Sequence, residues 1–202
     1  MTGGEEREPS VLVEERGPLA VIRLNRPAER NPLSVSTLQA IERAFASLSE
    51  QDGVTSIIFT GTGDAFASGA NIRELQTLTP ETARKYAARG QRLFQSVADA
   101  RQLTVAAVNG FCMGGGLDLA LACSVRVASP RAVFAHPGAR LGIITGWGGT
   151  QRLPRLIGAP RALEMFATAK RLSAAEALEV GLVDFVAEDA LERAIEIASR
   201  RG

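Results

Sequence analysis

Histidine is nearly missing from this sequence: His136 is the only one among 202 residues, beside two cysteines and one tryptophan. A single histidine leaves no histidine-rich metal site, and no spacing of His, Cys and carboxylates resembles a zinc or iron centre, so no metal is expected. Cys112 and Cys123 lack CxxC spacing and are too few to staple a chain of this length. They read as reduced core thiols in a cytoplasmic protein. Charge of one sign is also absent, with 23 Lys and Arg against 22 Asp and Glu and a net charge of +1. That balance excludes the basic surface with which proteins follow nucleic-acid phosphates. The polar, acidic opening from Met1 to Pro9 has neither the basic nor the apolar region of a secretory signal. From Gln102 to Val125 the only charge is Asp118, but Asn109 and the run Gly114 to Gly116 interrupt the stretch. It reads as a buried globular segment, and no membrane partner is expected. Nucleotide and hydrolase motifs are missing too: Gly61-Thr62-Gly63-Asp64-Ala65-Phe66 lacks a third glycine, and neither a P-loop nor a GxSxG elbow occurs.

What is present is an alternating pattern. With 46% hydrophobic residues the chain can bury one sizeable core, and a tail over residues 1–10 precedes a single domain over 11–202. Val11-Leu12-Val13 and Leu19 to Leu24, split by Gly17-Pro18, suit a hairpin. Val35, Leu38, Ile41, Phe45 and Leu48 recur at helical intervals behind Ser34 or Ser36 as N-cap. Thr55 to Thr60 is a compact β-rich run of the kind buried on both faces of a parallel sheet. A helix over 80–100 starting at Pro80 leads to a strand at Thr104 to Val108. The Gly114 to Gly116 turn then opens the small-residue helix Leu117 to Ala122, followed by a strand at Val125 to Ala128. Helical segments near 150–157, 160–169 and 173–180, the run Leu182 to Val186 and a last helix complete the pattern. The repeated βα order predicts an α/β protein with helices covering a largely parallel sheet and ligands at the strand ends, where the glycine-rich loops fall.

Two strand-to-loop junctions stand out: Phe66-Ala67-Ser68-Gly69-Ala70-Asn71-Ile72, and Val108-Asn109-Gly110-Phe111-Cys112-Met113-Gly114-Gly115-Gly116-Leu117-Asp118-Leu119. Small residues there can present bare backbone amides. A thioester carbonyl that gathers enolate charge needs two N–H donors, and glycine or alanine lets it approach without a blocking side chain. Tight turns serving helix–sheet packing would read the same way for either loop alone.

Over nearly its whole length the chain resembles the crotonase superfamily, the enoyl-CoA hydratase and isomerase proteins. Five segments carry the resemblance in order. They are Leu24 to Asn31, Phe66 to Ile72, Asn109 to Leu119, Leu141-Gly142-Ile143-Ile144 through Gly148-Gly149-Thr150-Gln151-Arg152-Leu153, and Ser173-Ala174-Ala175-Glu176-Ala177 with Gly181-Leu182-Val183. The resemblance implies a spiral of ββα turns, a thioester carbonyl held by the amides of Ala70 and Gly115, and a bent CoA with its adenine near Ala28, Ala67 and Ile72. Ser68, Asn71, which stands where the family usually has Asp, and Gly114 join the implied binding residues. CoA is then part of the substrate, and no separate cofactor is implied. The family's assembly is a homotrimer or hexamer, whose further helices lie beyond the final helix here, so the C-terminal helical region is expected to be shortened.

Hydratases of this family use two carboxylates, one to orient or activate water and one to move the α-proton. Asp118 takes the first position, where glutamate is usual, one methylene further back. The second falls in Phe134-Ala135-His136-Pro137-Gly138, where the family's Pro-Glu is Pro137-Gly138. His136 is then either a partner of Asp118 or a packing residue; Glu164, Glu176 and Asp184 are the carboxylates offered as alternatives, all at positions that fit exposed helix or loop. Trp147 either walls the acyl pocket or caps the core, and its Trp-Gly-Gly loop looks like that of the superfamily's acyl-CoA decarboxylases. The implied function is a thioester-enolate-stabilising enzyme of the 2-enoyl-CoA hydratase type. A malonyl-type decarboxylase, an enoyl-CoA isomerase and a catalytically silent CoA-binding subunit are the alternatives.

Overall fold

The computed structural model describes residues 8–200, so most of the tail expected over 1–10 lies outside the described residues. Strands β1 (Val11–Arg16) and β2 (Leu19–Leu24) form the expected antiparallel hairpin, and a 3-10 turn at Pro27–Glu29 leads to the short β3 (Pro32–Leu33). Helix α1 (Val35–Ser49) starts at Ser34, whose hydroxyl accepts the Thr37 N–H, and buries Leu38, Ile41, Phe45 and Leu48, the helical face read from the sequence. Then come β4 (Ser56–Gly61), β5 (Ala65–Ala67), β6 (Gly69–Ala70), α2 (Ile72–Leu75) and α3 (Pro80–Ala98). The next turn of the spiral is β7 (Leu103–Val108), β8 (Phe111–Met113) and α4 (Gly115–Ala122). After it follow β9 (Val125–Ala128), β10 (Val133–Ala135), a 3-10 turn at Pro137–Leu141, α5 (Gly149–Ile157) and α6 (Ala159–Thr168). The described chain ends with β11 (Arg171–Ser173), α7 (Ala174–Glu179), β12 (Phe185–Val186) and α8 (Ala190–Ser199).

The long strands build a six-stranded sheet in the order β1-β2-β4-β7-β9-β12, parallel except at the β1 edge. Every residue of β4 and β7 is buried, as strands covered on both faces must be. Their side chains alternate between two cores. Ile22, Ile57, Phe59, Ala106 and Val108 join the larger core with α1, α3 and α4. Val21, Ile58, Val105 and Val127 face the small residues Ala190, Ala194 and Ala198 of α8.

The short strands form two further sheets, β11-β10-β8-β5 and β3-β6, stacking the second strand of each ββα turn beside the long one. The apolar run at 182–186 contributes only Phe185–Val186 to pairing, because Leu182 and Val183 turn inward to the core while the Asp184 carboxylate binds Arg126 at 2.8 Å. Asn31, buried in the left-handed region at φ 53°, ties the loops together. Its side chain donates to the carbonyls of Thr62 and Ala65 and accepts the Arg26 N–H. That knot sets the entry to β5 and β6, and so the place of the first glycine-rich junction.

Candidate active site

At the first junction, β6 runs beside the turn into α4. Gly69 has φ +99°, and a Cβ there would come within 2.8 Å of the Met113 carbonyl and 3.3 Å of the Gly115 nitrogen. Only glycine permits that approach. Gly114, at φ +50°, places Gly115 as the first residue of α4, so the Gly115 N–H is one of the helix's leading amides, for which no carbonyl lies four residues earlier within the helix. Ala70, the next residue after Gly69, is half-buried and lines a cavity of about 450 Å³. The cavity is walled mainly by Ile72, Leu75, Leu78, Tyr86 and Trp147, with Ser68, Gly69, Gly114, His136 and Gly138 also at its edge.

Trp147 does both things expected of it. It is 3% exposed and belongs to the large core, yet one side of it lines the cavity. Its ring is held between α3 and α4: a Cβ on Gly90 would fall 2.3 Å from one edge, and a Cβ on Gly115 2.3 Å from the other. Phe94 meets it edge-on, with ring centroids 5.7 Å apart, and Tyr86 lies tilted against it at 5.3 Å. Burial pushes the Tyr86 hydroxyl well above the usual phenol range.

Asp118 lies on α4, one turn past the leading amides, and is fully buried. One carboxylate oxygen accepts the Thr145 hydroxyl and, at 3.2 Å, the Trp147 backbone N–H. The other faces His136 Nε2 at 3.6 Å and finds no hydrogen-bond partner among the described residues, nor does either His136 nitrogen. Burial raises Asp118 from the ordinary value of 3.8 to about 6, against the pull of the Thr145 and Trp147 donors and the Arg152 charge. The same burial lowers His136 to about 4. Near neutrality the pair is therefore a carboxylate beside a neutral imidazole, whose ring also packs on Phe166 at 5.0 Å.

The model of the enoyl-CoA hydratase/isomerase family matches residues 14–200. The chain belongs to that family. It is 40% identical over 194 residues to the crotonyl-CoA hydratase of Syntrophomonas wolfei, covering 95% of this chain and 75% of that one. It is 37% identical to the short-chain-enoyl-CoA hydratase of Clostridium acetobutylicum, covering 95% and 74%. Among solved structures, the enoyl-CoA hydratase of Bacillus anthracis superposes with a TM-score of 0.90 at 37% identity, covering 95% of this chain and 76% of that one. The fold is thus the crotonase-like α/β spiral.

Measured against this family's pattern, the site residues named from the sequence divide into three groups. Ser68, Ala70, Ile72, Gly114, His136, Gly138 and Trp147 converge on the cavity. Gly115 and Asp118 stand directly behind it, Gly115 against the Trp147 ring with its nitrogen beside Gly69, and Asp118 behind Thr145. Ala28, Ala67 and Asn71 are not among its lining residues. Ala28 is exposed on the 3-10 turn at Pro27–Glu29. The Ala67 methyl is buried and lies 2.7 Å from where a Cβ on Gly116 would sit, so its side chain packs inward. Asn71 caps α2, accepting the N–H groups of Arg73 and Glu74.

Gly138 is fixed by the packing of its own loop. A Cβ at that position would lie 2.5 Å from the Ile143 carbonyl, because the loop folds tightly enough for Ile143 N–H to bond the Gly138 carbonyl. None of the three carboxylates offered as its replacement lines the cavity. Glu164 binds Lys170 at 3.0 Å, Glu176 closes a capping box with Ser173, and Asp184 is paired with Arg126. Thr145 is the polar cavity residue that sequence reading missed, since its meaning lies in a contact across 27 residues that no motif signals.

Proposed function

We propose that the chain is an acyl-CoA enzyme of the 2-enoyl-CoA hydratase type, with one carboxylate, Asp118, as its acid–base group. The observation that carries this is the juxtaposition of two bare-backbone junctions with a buried carboxylate behind an apolar cavity. Relatives named for crotonyl-CoA and short-chain enoyl-CoA hydration support the same substrate class. In this reading the thioester carbonyl accepts hydrogen bonds from the N–H groups of Ala70 and Gly115. Charge gathers there as water adds to the β-carbon, and each such donor is worth about 10²–10³ in rate. The apolar walls hold the acyl chain and keep bulk water out.

A carboxylate held near pH 6 is well matched to taking and returning a proton near neutrality. The buried, unbridged Cys112 and Cys123 are compatible with a reducing, cytoplasmic setting. None of the described helices is long and apolar enough to cross a membrane. Leu156 and Leu163, exposed on α5 and α6, support the homotrimer or hexamer implied by the resemblance, and sedimentation velocity reads that assembly directly.

The test is the absorbance of the conjugated enoyl thioester after protein is added to crotonyl-CoA. Wild type removes it, and Asp118→Asn lowers kcat by about 10²–10⁴. Bound crotonyl-CoA with no loss of absorbance, together with release of carbon dioxide from malonyl-type CoA esters, would replace hydration by decarboxylation.

A further inference from the structure

Asp118 is completely buried and is not part of the cavity wall, whereas Thr145 is half-buried and lies on that wall. The Thr145 hydroxyl donates to the Asp118 carboxylate, and its methyl packs beside Gly149, where a Cβ would lie 2.8 Å from it. Thr145, Gly146 and Trp147 also border a second, polar cavity of about 500 Å³ lined by Gln91, Gln95 and Arg152. Thr145 thus borders both cavities and holds a carboxylate that lines neither. His136, the other polar neighbour, is 3.6 Å from the carboxylate with no hydrogen bond to it.

We propose that Thr145 is a catalytic residue of this protein: its hydroxyl relays protons between the cavity and Asp118, taking over the work that a second carboxylate performs elsewhere in the family. The proposal rests on the hydratase reading above. As water adds to the β-carbon, the π electron pair moves onto the thioester carbonyl oxygen. The water's proton passes to Thr145 Oγ1 while the Thr145 hydroxyl proton passes to Asp118. When the enolate collapses, its α-carbon takes the Thr145 hydroxyl proton and Asp118 returns its own to Oγ1. One water has been added, and both side chains are as they began. A single carboxylate serves both halves of the reaction because the hydroxyl carries the proton in each direction.

The raised pKa of Asp118 suits this role, and loss of the Thr145 donor moves it further up. The titratable groups facing Asp118 are His136 ahead of the 3-10 turn, Arg152 on α5 and Cys112 on β8. None of them is altered by a substitution at position 145.

The experiment compares wild type, Thr145→Val, Thr145→Ser and His136→Gln on crotonyl-CoA, with kcat, KM, the pH profile and deuterium uptake at the α-carbon from heavy water. The relay predicts that Thr145→Val lowers kcat at least about 100-fold with KM changed only a few-fold. It also predicts that the acidic limb of the profile moves to higher pH, that α-deuteration slows in parallel, and that Thr145→Ser recovers most of the rate. If Thr145→Val does not fold, Thr145→Ala carries the same comparison. A hydroxyl-free variant that keeps wild-type kcat overturns the relay and leaves the hydratase reading standing. Thr145→Ser as impaired as Thr145→Val overturns it equally, as does collapse in His136→Gln alone, which would give the route to the imidazole. A wild type that hydrates no enoyl-CoA overturns the reading, and the relay with it.

Discussion

Two stretches of this molecule start side by side, where β8 pairs with β10, and then follow opposite rules. The inner one, from Val108 through Asp118, runs into α4, every residue of which is buried. The outer one, from Phe134 through Thr145, leaves β10 for the loop around Gly138 and presents exposed Leu141, Ile143 and Ile144 around the cavity mouth. Close packing explains the difference. On α4 any added atom meets a ring or a backbone held from all sides. On the outer loop an added atom meets a backbone with solvent behind it. A substitution on the outer loop is therefore easier to accommodate than one on α4.

The sharpest way to break that comparison is a methyl on each side. Gly115→Ala sets a Cβ 2.3 Å from the Trp147 ring, with α3 blocking the ring's retreat, and is expected to cost at least about 3 kcal/mol, the upper end for an overpacked core. Gly138→Ala meets the Ile143 carbonyl at 2.5 Å, but that loop is free to shift outward, so about 1 kcal/mol is expected. Chemical denaturation of both variants checks the order. Equal losses would show the outer loop to be as rigid as α4. Gly138→Glu inherits the same clash and is expected not to improve on wild-type hydration of crotonyl-CoA, because the loop must open before a carboxylate can enter.

A subtler contrast is electrostatic. Asp118, raised from 3.8 to about 6, keeps its proton in the folded state where the unfolded chain has lost it, so its contribution to stability falls as pH rises through that window. His136, lowered from 6.5 to about 4, is neutral in the folded state where the unfolded chain is charged, so its contribution rises over nearly the same window. Each slope approaches about 1.4 kcal/mol per pH unit at most, and in the wild type they oppose each other. Relative to wild type, Asp118→Asn is expected to gain stability with rising pH between about 4 and 6, and His136→Gln to lose it. Denaturant midpoints across that range read both signs, and parallel curves for all three proteins would refute the opposition.

How far the sequence could be read follows from how local each signal is. Helix α1 announces itself through Ser34 and a regular apolar face, and β4 and β7 through unbroken apolar runs. The four-stranded sheet of β5, β8, β10 and β11 does not, because three-residue strands are too short to show a period and are defined by their partners. Within the site, the glycine junctions were legible because close backbone approach leaves a compositional mark. The contacts of Asp118 with Thr145 and His136 leave none. They join residues far apart in the chain, and a threonine between Ile144 and Gly146 looks like any loop residue until the fold brings it to a carboxylate.

The tryptophan lodged between Gly90 and Gly115 has one more consequence. It is the only indole in the chain, it is shielded from water, and one side of it borders the cavity. The protein thus carries its own optical reporter. Light emitted by Trp147 arises at the cavity wall and nowhere else, so a thioester entering the cavity should register in its colour and yield without any label being attached.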